Sequence, residues 1–141
     1  MKTKVIIIIT LVICCSCSRK TTIENDELQD AISQVWLDAD VAHEVLEKID
    51  INSINYYEQQ RHRLAEAHLM LKRELKLPSG SDMDALAKYF ESCGDEASVA
   101  EAYYIQGAYL NWIGKNTQAM QYLKKAESNS ATAIIRGMTY Y

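Results

Sequence analysis

The sequence predicts an all-α chain of six or seven short antiparallel helices, preceded by an N-terminal segment of a different kind. Three observations carry that expectation. From Asp26 onward, apolar residues recur at spacings of three and four, the period of a helix with one buried face. Helix breakers are sparse: proline occurs once, at Pro78, and glycine five times. Strict two-residue alternation, the mark of a half-buried strand, is absent. A length of 141 residues has room for one domain.

The N-terminal segment has its own logic. Lys2 and Lys4 precede an apolar run from Val5 to Ile13, broken by Thr10, and Cys14, Cys15, Ser16 and Cys17 follow. Charge, a short apolar core and then small residues are the layout of a secretory leader. A membrane-spanning helix needs roughly 20 apolar residues, and this run stops short of that. A buried core strand is the rival reading, but such strands seldom open a chain behind two lysines. A CCSC metal site is another rival; it lacks paired cysteines separated by a loop and has no nearby histidine.

The stretch LVICCSC resembles the lipobox of bacterial lipoproteins. There an apolar run and a small residue precede a cysteine that is acylated and becomes the first residue. Ser16 supplies the small residue before Cys17, whereas Ile13 before Cys14 is too bulky and Cys14 before Cys15 is less usual. The departure is that Cys14 and Cys15 stand where an apolar and a small residue are customary. The resemblance implies a signal peptide over 1–16, lipidation with palmitate and related acyl chains at Cys17, and a polar tether over 17–25. It makes the membrane a partner through that lipid. Ser18 stands where an aspartate would favour inner-membrane retention, so the expected place is the cell envelope, on the periplasmic face of the outer membrane. Cys93 is then the remaining thiol, and no intrachain disulfide forms. Losing Lys2 and Lys4 with the leader takes the formal charge from −4 to −6. No basic stripe is present, which argues against nucleic acid as a partner.

The helices follow in order over 26–141. Leu28, Ile32, Val35 and Trp36 predict a first helix of about three turns, capped by Asn25 or Asp26. Val41, Val45, Leu46 and Ile49 predict a second, capped by Asp38 or Asp40. After a break over 52–55, a longer third runs over 56–75, with Leu64, Ala65, His68, Leu69, Leu71 and Leu75 on its apolar face. Pro78-Ser79-Gly80 ends it, and Ser81 or Asp82 caps a fourth that holds Met83, Leu86, Ala87, Tyr89 and Phe90. Gly94 closes the fourth as a C-cap. The fifth spans 96–113, Gly114 ends it, and a sixth covers 116–127. A seventh apolar segment, 131–141, ends on two tyrosines without a polar cap, so the natural chain is expected to continue or this end to be loosely held.

The stretch from Ala100 to Ser130 resembles a tetratricopeptide repeat, a helix-turn-helix of about 34 residues. Gly107 takes the small position of the first helix, Gly114 the turn, and Ala119, Leu123 and Ala126 the small–large–small pattern of the second. Tyr103 stands where tryptophan is usual, Gln106 where leucine is, Leu110 where tyrosine is, and Ala131 where the closing proline is. Two weaker echoes, Leu86-Phe90-Cys93 and Ala42-Leu46-Ile49, are 33 and 44 residues apart from their neighbours, which places an insertion in the middle unit. The fragments LQDAISQVWLDADVAHEVLEKI, DMDALAKYFESCGD and AEAYYIQGAYLNWIGKNTQAMQYLKKAE also look like the helical-repeat lipoproteins of Gram-negative gut anaerobes, over residues 17 to 135. The resemblance implies a short α-solenoid of antiparallel helix pairs, a scaffolding or sensing role, and no catalytic chemistry.

Sites of reaction are scarce. The sequence has no phosphate-binding glycine loop, no G-x-S-x-G and no H-E-x-x-H, so it points to no enzyme, no cofactor and no metal. His62 and Glu66, with Glu58 a turn earlier, read better as a charged helix face than as half a metal site. His43 and His68 stand alone along the sequence and suit an interface. Asp82 and Asp84 fall in a first turn, where they complement the helix dipole. In the repeat register, Tyr104, Asn111 and Trp112 fall on the concave side of the fifth helix, where a partner protein or peptide would lie. The competing role for Trp112 is to pack against the neighbouring helix. The leading expectation is a membrane-anchored scaffold that binds a protein or peptide. The alternatives are a sensory input fragment of a longer signalling protein and a glycan-handling enzyme or binder.

Overall fold

The computed structural model describes residues 25–77 and 79–129. The leader, Cys17, most of the tether, Pro78 and the seventh segment over 131–141 lie outside the described residues. Those described form six helices: α1 (Asp26–Leu37), α2 (Ala39–Leu46), α3 (Tyr56–Lys72), α4 (Gly80–Cys93), α5 (Glu96–Trp112) and α6 (Asn116–Asn129). The chain is all-α, and among the described residues there is no strand.

The caps explain where the helices begin. Asn25 accepts from the Leu28 amide and opens α1. Asp38 closes α1 and opens α2 without a longer connection, its carboxylate accepting from Asp40 and Val41. Asn55 and Glu58 form a reciprocal capping box on α3. The second Glu58 oxygen accepts from the Asn25 amide at 2.9 Å, so one carboxylate ties the starts of α1 and α3 together. The cap of α4 is Ser79, two residues before the expected Ser81 and three before Asp82. The Asp82 carboxylate accepts from both the Ser79 amide and its hydroxyl, which draws the helix start back to Gly80. Asp95 caps α5.

Two expected faces shift. Ala42 and not Val41 is buried in α2, because a helix of eight residues has one face and Leu46 sets its direction. Leu75 is exposed and α3 ends at Lys72. There Glu74 turns to φ 54 and the Leu75 amide returns to the Met70 carbonyl, which breaks the period before Leu75 can join the face. Leu77, beyond the turn, is buried instead.

Two cores meet at α3. Leu28, Ala31 and Val35 pack with Ala42, Leu46, Ile49 and Ile54 against Ala65 and Leu69. On the other side of α3, Leu64 and Ala67 pack with Met83, Leu86 and Phe90 of α4 and with Val99, Ala102 and Ile105 of α5. The helix contacts run in sequence: α1 with α2, both with α3, α3 and α4 with α5, and α5 with α6. α4 packs chiefly on α5 rather than on α3, and α1, α3 and α5 lie in a row. At the α5–α6 crossing, a Cβ added at Gly107 would come within 2.8 Å of Leu123 Cγ and 3.1 Å of its backbone nitrogen, so glycine sets the approach of the two helices. Ala119 and Ala126 are buried as the register requires; Cys93, the weaker echo of Ala126, is exposed. The extra length of the middle unit lies in the connections on either side of α3, chiefly that between α2 and α3, rather than in α3 itself, which matches α5 at 17 residues.

His62 pins α2 to α3. It is buried, and its Nε2 donates to the Leu46 carbonyl at the end of α2, 3.1 Å away. Its Nδ1 lies 3.5 Å from a Glu66 oxygen, a long contact with poor alignment. The Glu66 carboxylate, aided by the Leu46 carbonyl and opposed by burial, raises the imidazole above its ordinary 6.5. Folding therefore favours the protonated ring. The stability it contributes is complete below pH 6.5 and is lost as pH rises through the raised value. The melting temperature is expected to fall across that window, and His62→Gln, which keeps a donor for Leu46 but does not titrate, is expected to flatten the slope. An unchanged slope in the variant would remove His62 as its source.

Candidate binding face

The row of first helices presents a strip that runs between the two cores and shares Ala65 with the first of them. In α3, Arg61, Ala65, His68 and Lys72 recur at the helical period and fall between the face turned to α1 and the face turned to α5. Trp36 reaches this strip from α1, and Glu101 and Tyr104 reach it from α5. A shallow crease too narrow for a water molecule runs beside it, lined by Ile32, Val35, Arg61, Leu64, Ala65 and Glu101.

His68 lies at the middle and is 0% exposed. Its Nδ1 lies 2.8 Å from Glu101 Oε1, and because a carboxylate can only accept, Nδ1 carries the proton of that bond. Nε2 is buried and has no partner. The indole of Trp36 stands edge-to-face with the imidazole, centroids 4.2 Å apart at 84°. Tyr104 completes the group, 6.1 Å from the Trp36 ring and 6.2 Å from the His68 ring. Burial pushes the Tyr104 hydroxyl above the usual phenol value, so it stays protonated. Lys72 Nζ lies 6.0 Å from the Trp36 centroid, within reach of a cation–π contact.

The three residues expected on the concave side are placed differently from one another. Tyr104 belongs to the Trp36–His68 group and is half buried. Asn111 is exposed on the same side of α5, two turns or roughly 10 Å further along. Trp112 is 52% exposed and pairs with Tyr109 at 5.8 Å rather than with Tyr104. Cys17 lies outside the described residues. The residues missed by reading along the sequence are Trp36, His68 and Glu101 as one unit. The signal was available: His68 and Glu101 are 33 residues apart, one repeat length.

The other histidines and acids are structural. His43 pairs with Glu47 at 3.3 Å on the surface. Glu58 is spent on the two caps. Asp84 accepts from the Tyr122 hydroxyl at 3.0 Å, and Asp95 from that of Tyr57 at 2.8 Å, so two tyrosines link neighbouring pairs rather than face a ligand. Lys125 lies over the rings of Tyr103 and Tyr122, at 5.1 and 4.9 Å. Among the described residues, no group of three or more His, Cys, Asp or Glu side chains is arranged to hold a metal ion, and no helix is long and apolar enough to cross a membrane. No family model, curated protein or solved structure matches the chain.

Proposed function

We propose that this chain is a membrane-tethered helical-repeat scaffold that holds a protein or peptide on the face shared by α1, α3 and α5. The observation that carries the reading is the order of helix contacts. Each first helix touches the next, so three separate strips merge into one surface with half-buried Trp36 and Tyr104 at its centre. Large amphipathic rings at the middle of a continuous face suit recognition, since they give contact area at low entropic cost. The tight α5–α6 crossing at Gly107 supports a tetratricopeptide-like pair. The lipobox-like LVICCSC supports a lipid anchor at Cys17.

Two measurements test this. The wild-type chain is expected to take up an alkyne fatty acid and to sediment with membranes, because two or three acyl chains hold stably where one holds marginally. Cys17→Ala is expected to lose both properties; a variant that still labels and still pellets would overturn the anchor. For the face, Asn111→Ala leaves the core untouched and is expected to reduce recovery of partners from envelope extract. Equal recovery with an unchanged melting temperature would take Asn111 off the binding surface.

A further inference from the structure

We propose that the uncovered side of α6 is a docking groove whose occupant is the chain's own C-terminal segment, residues 131–141, laid antiparallel along the helix. The segment lies outside the described residues, and the inference stands apart from the face on α1, α3 and α5. A segment seated there closes the array at α6 and leaves the row of first helices to partners.

The groove is the first argument. α6 packs on α5 through Leu123 at the Gly107 crossing and through Ala126 against Ala100, and Tyr122 reaches Asp84 of α4. The adjoining side of the helix carries Asn116, Thr117, Met120, Gln121 and Lys124 at the helical period and borders an open groove of about 480 Å³. Met120 is more than half exposed in it. The Met120 thioether, the Thr117 methyl and the stems of Gln121 and Lys124 make a surface suited to apolar side chains, and no carboxylate lines it.

The second argument is the sequence that follows. Twelve residues come after Asn129, the end of α6. Ala131, Ile134, Ile135, Met138 and Tyr141 fall at i, i+3, i+4, i+7 and i+10, the spacing of one apolar stripe, while Arg136 and Tyr140 fall opposite it. A helix this short is marginal in water alone, so such a stripe holds only when another surface covers it. Reach is the third argument. Eleven helical residues rise roughly 16 Å, and Met120 stands nine positions before Asn129, roughly 14 Å back along α6. Turned back near Ser130, the segment spans the groove, with Ile134 beside Lys124 and Met138 beside Met120. The chain makes the same reversal once already, where α6 returns along α5 after Gly114. A segment tied this closely acts at an effective concentration on the order of millimolar, which favours it over a second copy or a free peptide.

The test uses the full chain with Cys93→Ser and one cysteine pair at a time: Met120→Cys with Met138→Cys, or Lys124→Cys with Ile134→Cys. Glu27→Cys, exposed on α1, with Met138→Cys is the control. After mild oxidation, mass spectrometry of the cleaved and uncleaved chain reads which cysteines are joined and whether they belong to one molecule. Both α6 pairs are expected to bridge within one chain, at least about tenfold faster than the control. Bridges between two chains would assign the groove to a second copy and overturn the proposal; equal rates for all three pairs would overturn it too. The chain with its native cysteines gives a second readout. Amides of 131–141 are expected to exchange about tenfold more slowly than in a synthetic peptide of that sequence. Met120→Glu, at an exposed side chain, is expected to abolish that protection while the amides of α3 stay as slow as before. Free-peptide exchange in the wild-type chain, or protection that survives Met120→Glu, would take the segment off α6. Neither outcome bears on the Asn111→Ala recovery experiment, which decides the scaffold reading separately.

Discussion

Gly107→Val is expected to separate α6 from α5 and to cost about 3 kcal/mol or more. The effect is decided by two opposing terms. Removing glycine from mid-helix gains up to about 1 kcal/mol. Against that, even the first added carbon meets Leu123 at 2.8 Å and the backbone of α6 at 3.1 Å. A side-chain carbon of Leu123 can move by a rotamer change; the backbone nitrogen moves only with the whole helix. Gly107→Ala should therefore come out destabilised by about 1 kcal/mol, the overpacking exceeding the propensity gain. The valine variant adds two methyl groups in the same direction and a stiff χ1. Urea unfolding measures the totals, and amide exchange in α6 shows whether the loss is local. An alanine variant more stable than wild type would mean that α6 yields easily and that glycine sets no constraint.

Phe90→Ala is the second large effect, expected near 3–5 kcal/mol. Phe90 is fully buried where α3, α4 and α5 meet, and its ring stands edge-on to Tyr57 at 6.0 Å and near Tyr89 at 5.4 Å. The variant loses the burial of the ring, two aromatic contacts worth about 0.5–1.5 kcal/mol each, and gains a cavity that the flanking helices fill only in part. Natural domains of this size have about 5–15 kcal/mol in total, so the variant stands close to unfolding at ordinary temperature. Leu37→Ala, at a side chain 79% exposed, is the matched control and should stay within about 0.5 kcal/mol of wild type. Similar midpoints for the two variants would place Phe90 outside the core.

The elements that could be read in the sequence are those set by local rules. The α4 face, the Gly94 cap at φ 72, the Gly114 turn at φ 80, and the Gly107–Ala119–Ala126 register all depend on residues within one helix pair. The misplaced faces, Val41 and Leu75, fall where the period is short or interrupted: an eight-residue helix fits more than one phase, and the turn at Glu74 carries no glycine to announce it. The centre of the candidate face was less legible because it is made between helices distant in sequence. His68 takes its meaning from Glu101 one pair on and from Trp36 one pair back. Tyr104 could be picked out by position along α5, but its neighbours could not. An imidazole that looks solitary in a chain acquires a carboxylate only when helices a repeat apart are laid side by side.

The sequential order of helix contacts has a kinetic consequence. Because α6 touches α5 while α3 is enclosed by α1, α2 and α5, opening the molecule need not be a single event. In a quasi-linear array, stability is close to a sum of pair and neighbour terms, and unfolding can begin at an end and advance inward. Amides of α6 should then exchange fastest among the described helices and those in the middle of α3 slowest, with the α5 amides between. Contacts that close short loops also need little search, so refolding should be rapid, on the order of milliseconds or less. If the chain is anchored by a lipid and holds a partner along α1, α3 and α5 as proposed, load between the two passes through those helices, and α6 is free to peel away and return while the rest stays closed.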